Sequence, residues 1–377
     1  MTGLAVLGST GSIGRQALDV VAALRDRFEV RSVAAGHADE RFTAQLAAWP
    51  HARAWAPGER PPGVDARRWA DGGLEELATA ADVELVLVAT TGMTALPAVL
   101  QALRAGKHVA LANKETLVTG GHLVARLLDE LGGDPLDRLR PVDSEHSAIW
   151  QCLLGERIGD VARLVLTASG GPFRGRHPAE LASVTAQEAL AHPTWRMGPK
   201  ITIDSATLVN KAFEVMEARW LYRLPYSKID AVIHPQSVVH SLVEFADGSY
   251  KAQLGLPDMR LPIQYALTHP DRLPSPSRAS HPTEWGTLEF APLTDVNYPA
   301  YAAARAAAES GGNRGVILNA ADEVAVAAFL EGRIAFTAIA ETIASAVDRW
   351  GSVDEPDLEG IAALDGEVRG ALTGALA

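Results

Sequence analysis

Short apolar runs alternate with amphipathic segments over the first 120 residues of the chain. Four of the runs predict buried β-strands, at residues 4–7, 30–35, 83–89 and 107–111. Helical periodicity follows the first run, with Leu18 and Val21 on one face, and a second helix is predicted at residues 96–105. Strands that alternate with helices indicate a doubly wound, Rossmann-like α/β domain over residues 1–140.

The pattern changes after residue 140. Strands are predicted at residues 164–166, 229–233, 237–245 and 249–254. Asp247-Gly248 is a hairpin turn signal between the last two, so residues 141–270 predict an α+β domain. A linker rich in Pro, Ser and Thr is expected at residues 271–298. Residues 299–377 are rich in alanine and predict a helical bundle, with helices at 299–309, 316–331, 334–349 and 356–375.

Composition places the chain among ordinary globular proteins and excludes some functions. Of its 377 residues, 47% are hydrophobic and 21% are charged. The net charge of -12 argues against a nucleic-acid binder, because phosphate backbones are held by Lys and Arg. Cys152 is the only cysteine, which fits a reducing compartment. Neither a secretory signal nor a membrane-spanning run is visible, so we expect a cytoplasmic protein.

Three glycines follow the first predicted strand in the sequence GSTGSIG, at residues 8, 11 and 14. A strand, a glycine turn and a helix N-terminus together form an anion site suited to a pyrophosphate. The spacing departs from the usual GxGxxG, and a plain tight turn is the alternative. The second strand ends in Gly36-His37 without a carboxylate, which favours NADP over NAD. Asp39 and Glu40 follow closely and weaken that inference.

Two carboxylates, Asp143 and Glu145, stand two residues apart in the sequence PVDSEHSAIW. In extended backbone such residues point to the same side. Side by side they repel unless a cation lies between them, so the spacing predicts a site for a hard metal ion. A solvated loop is the alternative. The apolar residues on both sides of the two carboxylates argue against it.

A polar helix face is predicted some seventy residues later. Asn210, Glu214 and Glu217 are spaced i, i+4 and i+7, with Lys211 one step round the helix. We expect Asp204 or Ser205 to cap this helix. The alternative, a solvated face, would give more mixed and repetitive charges.

Three further stretches have the character of ligand-binding loops. Ser169-Gly170-Gly171 predicts a phosphate-binding turn, with a plain turn as the alternative. Residues 192–198, HPTWRMG, have the composition of a mobile lid. Asn113, Lys114 and Glu115 end a predicted strand and face the ligand crevice of a parallel sheet; an exposed ion pair is the alternative.

Nine motifs, in this order, resemble the 1-deoxy-D-xylulose 5-phosphate reductoisomerase family. They cover the chain from Gly8 to about Leu330 and are too long and contiguous for chance. The motifs are GSTGSIG, LANKE, VDSEH, TASGGPF, HPTWRMG, DSATLVNKAFEVMEA, HPQSVVHS, GLPDMRLPIQYAL and NAADEVAVAAFL.

The resemblance implies a reaction and its cofactors. The family isomerises 1-deoxy-D-xylulose 5-phosphate and reduces the resulting aldehyde with NADPH to 2-C-methyl-D-erythritol 4-phosphate, a step of non-mevalonate isoprenoid precursor synthesis. By motif, Asp143, Glu145 and Glu214 would hold Mg²⁺ or Mn²⁺, which prefer oxygen ligands. Lys114 and His192 complete the catalytic set, and Glu217 would stand behind the metal ligands. The family also implies a homodimer.

The resemblance further implies two sets of binding residues. The phosphorylated sugar would contact Lys114, Ser144, Glu145, Ser169, His192, Trp195, Ser205, Asn210, Lys211, Glu214, Ser237 and Met259. NADPH would contact Thr10, Gly11, Ser12, Ile13, Gly36, His37, Asn113, Glu115 and Gly198. Many relatives carry Asn two residues after the glycine at position 36, where this chain has Ala38, so recognition of the 2′-phosphate stays open.

Two other functions compete with this interpretation. A different NAD(P)-dependent dehydrogenase would transfer hydride without rearranging the carbon skeleton and would not need three carboxylates. A catalytically inactive dinucleotide sensor would bind NADPH without turnover. The presence of Asp143, Glu145, His192, Lys211 and Glu214 together argues against the sensor, because a decayed site usually loses some of them.

Overall fold

A computed structural model describes residues 1–195 and 197–377. Its contacts divide the chain into two compact units. The first comprises Met1–Thr116, Val124–Trp150 and Asp258–Ala279. The second comprises Leu117–Leu123, Gln151–Pro257 and Ser280–Ala377.

The first unit is built on a six-stranded sheet. Its strands are β1 (Thr2–Leu7), β2 (Phe28–Ala34), β3 (Arg53–Trp55), β4 (Leu85–Val88), β5 (His108–Leu111) and β6 (Leu139–Pro141). Every neighbouring pair is parallel, in the order β3-β2-β1-β4-β5-β6. This order belongs to a doubly wound dinucleotide-binding sheet, and its topological switch point lies between β1 and β4. The predicted fold class of this part is confirmed.

The helices of this part of the chain follow the strands of the sheet in sequence, and the last of them comes after β6. They are α1 (Ser12–Ala23), α2 (Glu40–Ala48), α3 (Gly73–Thr79), α4 (Leu96–Arg104), α5 (Glu115–Leu131), α6 (Pro135–Arg138) and α7 (Ser144–Leu153). A later helix, α11 (Arg260–Thr268), packs on α1 through Ile263, Ala266 and Leu267 in the same apolar core. Leu4, Ala5, Val6 and Leu7 of β1 are all fully buried, as a strand covered on both faces requires.

The second unit contains a five-stranded mixed sheet. Its strands are β7 (Val161–Ala168), β8 (Ile229–Ile233), β9 (Val239–Phe245), β10 (Tyr250–Leu254) and β11 (Ala291–Pro292), in the order β10-β9-β7-β8-β11. β7 runs parallel to β8 and antiparallel to β9. The predicted hairpin is confirmed, because Gly248 takes a φ of 83° between β9 and β10. Left-handed backbone of this kind favours glycine.

Helices form the rest of the second unit. They are α8 (Ala186–Ala189), α9 (Pro199–Thr207), α10 (Val209–Tyr222), α12 (Pro299–Ser310), α13 (Arg314–Leu330), α14 (Ala338–Trp350) and α15 (Leu358–Ala375). The predicted C-terminal helical bundle is confirmed. α13 is its centre, since the consecutive residues Val316, Ile317 and Leu318 are all buried and point to different sides of the helix.

Residues 271–298 are mostly irregular, as predicted, but β11 at the end of this stretch pairs antiparallel with β8. Within the part of the chain that the structure describes, no helix has both the length and the apolar character to cross a bilayer.

Candidate active site

The glycine turn after β1 lies at the switch point of the parallel sheet. Gly8 takes a φ of 91°, and a Cβ there would approach Ala89 O to 2.3 Å. A Cβ on Gly14 would lie 2.2 Å from Gly8 O. Gly11 precedes α1, and no side chain caps the first turn of that helix. Thr10, Gly11, Ser12 and Ile13 therefore form a tight turn whose backbone suits a pyrophosphate.

The end of β2 carries the residues predicted to recognise the adenosine ribose. Gly36 and His37 are exposed. The side chain of Asp39 accepts a hydrogen bond of 2.9 Å from Phe42 N and so caps α2. Because this carboxylate already serves the helix, Asp39 is a weaker competitor for a ribose hydroxyl than the sequence suggested.

Asn113 holds the turn between β5 and α5. Its Nδ2 donates to Thr90 O at 3.0 Å and to Gly92 O at 2.8 Å, and it also reaches Glu115 Oε2. Its Oδ1 accepts a 2.9 Å hydrogen bond from Thr116 N. Both ends of this amide are therefore used within the first unit, and they tie the ends of β4 and β5 together.

Lys114 and Asp143 form a buried ion pair in the first unit. Lys114 Nζ lies 2.6 Å from Asp143 Oδ2, and their side chains are 9% and 12% exposed. Burial alone would raise the pKa of Asp143, but the adjacent Lys114 ammonium and His146 hold it well below its usual range. Asp143 is therefore ionised at neutral pH. The alternative of an exposed ion pair between Lys114 and Glu115 is excluded, because Lys114 is itself buried.

The predicted extended backbone at Asp143 and Glu145 is wrong. α7 begins at Ser144, and Ser147 N donates to Asp143 O at 2.8 Å. The two carboxylates therefore stand at the entrance and in the first turn of a helix instead of on one side of a strand. Ser144 Oγ donates to Glu145 Oε2. A helix start keeps the carboxylates near positive backbone N–H groups, which stabilises their negative charge.

His192 joins two predicted phosphate-binding serines in the second unit. Its Nε2 lies 3.1 Å from Ser169 Oγ and 3.1 Å from Ser205 Oγ. Its Nδ1 accepts hydrogen bonds from Thr194 N at 3.1 Å and from Trp195 N at 2.9 Å. The proton of the neutral ring therefore belongs on Nε2, an assignment that follows from the network. Burial lowers the pKa of His192, so the ring is neutral at pH 7.

The turn after β7 is held on both sides. Gly170 and Gly171 take φ values of 87° and 67°. Arg174 Nη1 donates to Ser169 O at 3.0 Å, and the Tyr298 hydroxyl donates to Gly170 O at 3.3 Å. A Cβ on Gly171 would come within 2.6 Å of Ser205 O, so this turn and α9 lie in direct contact. The glycines thus bring Ser169 and Ser205 to the same place.

We expect Gly171→Ala to destabilise the second unit and to raise the KM for a phosphorylated substrate by roughly tenfold or more, because the new methyl group forces Ser205 away. Gly175→Ala is the matched control: Gly175 has a φ of 82°, but nothing lies within 4 Å of its added Cβ. Steady-state kinetics and thermal unfolding of both variants check this. Equal effects of the two substitutions would contradict the role given to the contact with Ser205.

The predicted cap at Asp204 or Ser205 is also wrong. A helix, α9, begins earlier, with Gly198 as its N-cap and Pro199 in its first turn. Asp204 and Ser205 lie near its C-terminal end, and Leu208, with a φ of 59°, separates it from α10. Gly-Pro before a helical pattern is a start signal, and the sequence interpretation passed over it. Arg196, inside the predicted lid, lies outside the described residues.

The predicted polar face of α10 is confirmed as helical and is buried. Asn210 and Lys211 both donate to the carboxylate of Glu214. The Lys211 and Glu214 side chains are 4% and 2% exposed. Glu217 lies on the same helix and is 1% exposed. The solvated alternative is therefore excluded. A carboxylate this deep requires a cation beside it, and in this structure the Lys211 ammonium supplies that charge.

Ser237 and Met259 stand on turns of different units. Ser237 follows β8 and is buried. Met259 precedes α11 and packs against the core of the first unit.

Three family models match the chain. The model described as 1-deoxy-D-xylulose 5-phosphate reductoisomerase matches residues 4–60 and 65–121. Those described as the 1-deoxy-D-xylulose 5-phosphate reductoisomerase C-terminal domain and the DXP reductoisomerase C-terminal domain match residues 139–222 and 254–371. A protein of Geobacillus kaustophilus named 1-deoxy-D-xylulose 5-phosphate reductoisomerase is 47% identical, over 97% of each chain. The chain belongs to the 1-deoxy-D-xylulose 5-phosphate reductoisomerase family.

Other relatives agree with this family. A reductoisomerase of Anaeromyxobacter is 48% identical over 92% of this chain and 90% of its own. Among solved structures, a reductoisomerase in complex with NADPH, fosmidomycin and magnesium is 34% identical, with a TM-score of 0.90 over 100% of this chain and 98% of that one. The Zymomonas mobilis enzyme in complex with NADPH is 36% identical, with a TM-score of 0.88 over 100% and 99%. The predicted family, fold class and oxidoreductase activity are confirmed.

His240 is a polar core residue that the sequence analysis passed over. It lies in β9, is 7% exposed, and has the charged or titratable groups of His234 and Lys211 nearby. Burial lowers its pKa to about 4, although hydrogen bonds to the backbone at Gly255 and Leu256 act in the opposite direction. The motif HPQSVVHS contains two histidines six residues apart, and His240 is the second of them. The sequence analysis assigned a role only to Ser237 of this motif.

We expect His240 to weaken the fold in mild acid. Its pKa falls from 6.5 in the unfolded chain to about 4 in the folded one, so its stabilising effect is complete above pH 6.5 and is lost as the pH falls toward 4. The loss should reach roughly 3 kcal/mol of unfolding free energy. Denaturant unfolding of the wild type and of His240→Gln between these pH values checks this. The variant should show a flatter decline, and parallel curves would contradict the prediction.

Proposed function

We propose that this member of the family converts 1-deoxy-D-xylulose 5-phosphate to 2-C-methyl-D-erythritol 4-phosphate at the residues described above. The reaction uses NADPH and Mg²⁺ or Mn²⁺. The observation that carries the residue assignment is the low exposure of two carboxylates that are each paired with a lysine, with Asp143 beside Lys114 in the first unit and Glu214 beside Lys211 in the second. Isolated buried carboxylates are costly, so such residues are usually kept for a function.

Asp143, Glu145 and Glu214 are proposed to hold the divalent cation together. The donor set suits it, because all three supply carboxylate oxygens, the ligands that Mg²⁺ and Mn²⁺ prefer. The solved relative in complex with magnesium supports the same choice. When bound, the cation acts as a Lewis acid on the substrate's carbonyl and hydroxyl oxygens. Glu217 is assigned a place behind these ligands, where it orients them.

The substrate phosphate is assigned to the second unit. Ser169 and Ser205 offer hydroxyl donors at one point, because His192 Nε2 lies 3.1 Å from each of them. Asn210 and Lys211 add an amide and a full positive charge from the first turn of α10. Charge-assisted hydrogen bonds of this kind are among the strongest that a protein offers to a phosphate.

The remaining substrate contacts orient the reacting carbons and exclude water. Lys114 and Ser144, beside Asp143, bind the substrate's hydroxyl groups, and Ser237 adds a further hydroxyl contact. His192, with its proton on Nε2, donates to the bound sugar. Trp195 and Met259 cover the site, and their apolar side chains keep water from the aldehyde intermediate.

NADPH is assigned to the C-terminal edge of the parallel sheet, and it supplies the hydride. Thr10, Gly11, Ser12 and Ile13 bind its pyrophosphate through backbone N–H groups of the tight turn. The other proposed contacts are Gly36, His37, Asn113, Glu115 and Gly198. Asn113 contributes chiefly by fixing its turn, since its amide is already bonded to Thr90 O and Gly92 O.

We also propose a homodimeric, cytoplasmic enzyme with the predicted division into an NADPH-binding domain, a catalytic and dimerisation domain, a linker and a helical domain. β10 supports the dimer, because it is an edge strand with Tyr250 54% and Leu254 38% exposed. The unpaired backbone groups of an exposed edge strand are a surface that natural proteins usually cover. The role of β10 in the dimer is checked by comparing the sedimentation of the wild type with that of Ala252→Pro.

The activity is tested by NADPH oxidation with 1-deoxy-D-xylulose 5-phosphate and Mg²⁺, followed at 25 °C with product identification by mass spectrometry. We expect turnover that a chelator abolishes and that Mg²⁺ or Mn²⁺ restores. Oxidation of NADPH without skeletal rearrangement would favour the simple dehydrogenase, and binding of NADPH without turnover would favour the sensor.

A further inference from the structure

His234 lies where three turns of the second unit meet. It follows β8, is fully buried, and its backbone N–H donates to Ala168 O at 2.7 Å, so it ties the end of β8 to the end of β7. Three residues later Ser237 takes a φ of 51°. Left-handed backbone is uncommon for residues other than glycine and persists only where the surroundings hold it.

The His234 side chain supplies contacts that hold Ser237. Its Nε2 accepts hydrogen bonds from Val238 N at 3.2 Å and Val239 N at 3.1 Å, the two residues after Ser237. Its Nδ1–H donates to Glu289 O at 2.8 Å. A carbonyl can only accept, so the proton lies on Nδ1 and Nε2 is free to accept from the backbone. Both ring nitrogens are used, and the ring orientation is fixed.

Residues 289–290, which contact the His234 ring, are also held in place. The His234 ring stacks on Phe290, with centroids 4.7 Å apart and planes 15° from parallel. Gln236 Nε2 donates to Glu289 Oε2 at 3.0 Å, and Glu289 N donates back to Gln236 Oε1 at 3.2 Å. Residues 289–290 are thus the support against which His234 holds the Ser237 turn.

We propose that His234 is a positioning residue for sugar binding: by accepting from Val238 and Val239 it keeps Ser237 in left-handed backbone, with its hydroxyl aimed at the substrate. This inference rests on the assignment of Ser237 to the substrate in the proposed function. His234 itself is not assigned a contact with the sugar or with the cofactor. Without it, the backbone at Ser237 relaxes toward extended conformations, and the hydroxyl turns away.

Two substitutions separate the two bonds of the ring. His234→Asn keeps a donor near the Nδ1 position but loses the acceptor, whereas His234→Gln keeps an acceptor near the Nε2 position. We expect His234→Asn to raise the KM for 1-deoxy-D-xylulose 5-phosphate by about tenfold, the size of one lost hydrogen bond, with the KM for NADPH unchanged. His234→Gln should restore most of the loss. His122→Asn is the control, because it removes another buried histidine, which contacts Pro356 O at 2.7 Å.

A glycine background isolates the backbone effect. Ser237→Gly loses the hydroxyl but adopts a positive φ without help, so adding His234→Asn to it should leave the KM for the sugar unchanged. Hydrogen exchange at the Val238 and Val239 amides should quicken in His234→Asn whether or not Ser237 binds the sugar. Unchanged exchange would overturn the proposal, and so would additive KM effects in the double variant. Absence of turnover in the wild type would instead overturn the proposed function.

Discussion

Glu214→Gln is expected to lower kcat by on the order of a thousandfold, because it removes one of the three carboxylates that we propose as ligands of the divalent cation. The amide oxygen of the new side chain still accepts hydrogen bonds from Asn210 and Lys211, so the variant should stay folded. Kinetics at increasing Mg²⁺, together with thermal unfolding, measure the two effects separately.

The control for this prediction is Glu323→Gln, which removes a carboxylate of the same unit that is paired with Arg369 at 2.8 Å and lies outside the proposed site. It should change stability slightly and leave kcat unaltered. A Glu214→Gln variant that regains the wild-type rate at saturating Mg²⁺ would have lost only metal affinity. A near-normal rate at ordinary Mg²⁺ would remove Glu214 from the site.

Lys211→Ala is expected to act mainly on substrate binding. Losing the buried ammonium that we propose to bind the substrate phosphate should raise the KM for the phosphorylated sugar by roughly a hundredfold, with a smaller change in kcat. The wild type should bind the phosphorylated sugar far more tightly than its dephosphorylated analogue, and the variant should lose most of that preference. Isothermal titration with both sugars, without NADPH, measures it.

Lys228→Ala is the matched control for Lys211→Ala. Lys228 lies in the same unit, and its Nζ donates to Val161 O at 2.6 Å, away from the proposed phosphate residues. Its loss should leave the preference for the phosphorylated sugar intact. If Lys211→Ala keeps the wild-type preference as well, the phosphate is bound elsewhere.

Much of the fold was predictable because local pattern and tertiary structure agree. The apolar run at Leu4 is followed by Gly8, whose left-handed backbone only glycine adopts readily, and then by a helix that begins at Ser12. Each signal points to the same strand–turn–helix unit. The polar face of α10 was likewise predictable from residue spacing alone, since side chains at positions i and i+4 lie on the same face of any helix.

The wrong predictions fall in two groups. In one, the backbone geometry depends on residues far away in the sequence; in the other, a helix-start signal in the sequence was not used. Asp143 and Glu145 share one side only if the backbone is extended, but a helix starts at Ser144, and Asp-Ser was not weighed as a helix-start signal. Gly198-Pro199 carried such a signal too. His234 was invisible as a positioning residue because its acceptor, Glu289 O, lies fifty-five residues away in a stretch predicted to be only a linker.

The central claim is that Asp143, Glu145 and Glu214 bind the same divalent cation, and electron paramagnetic resonance of Mn²⁺ tests it most directly. Mn²⁺ is titrated into the wild type, Asp143→Asn, Glu145→Gln and Glu214→Gln with sugar present and NADPH absent. We expect a single tight Mn²⁺ per wild-type chain and a loss of roughly a hundredfold or more in affinity for each variant. Wild-type affinity in Glu214→Gln, with loss in the other two, would contradict the claim.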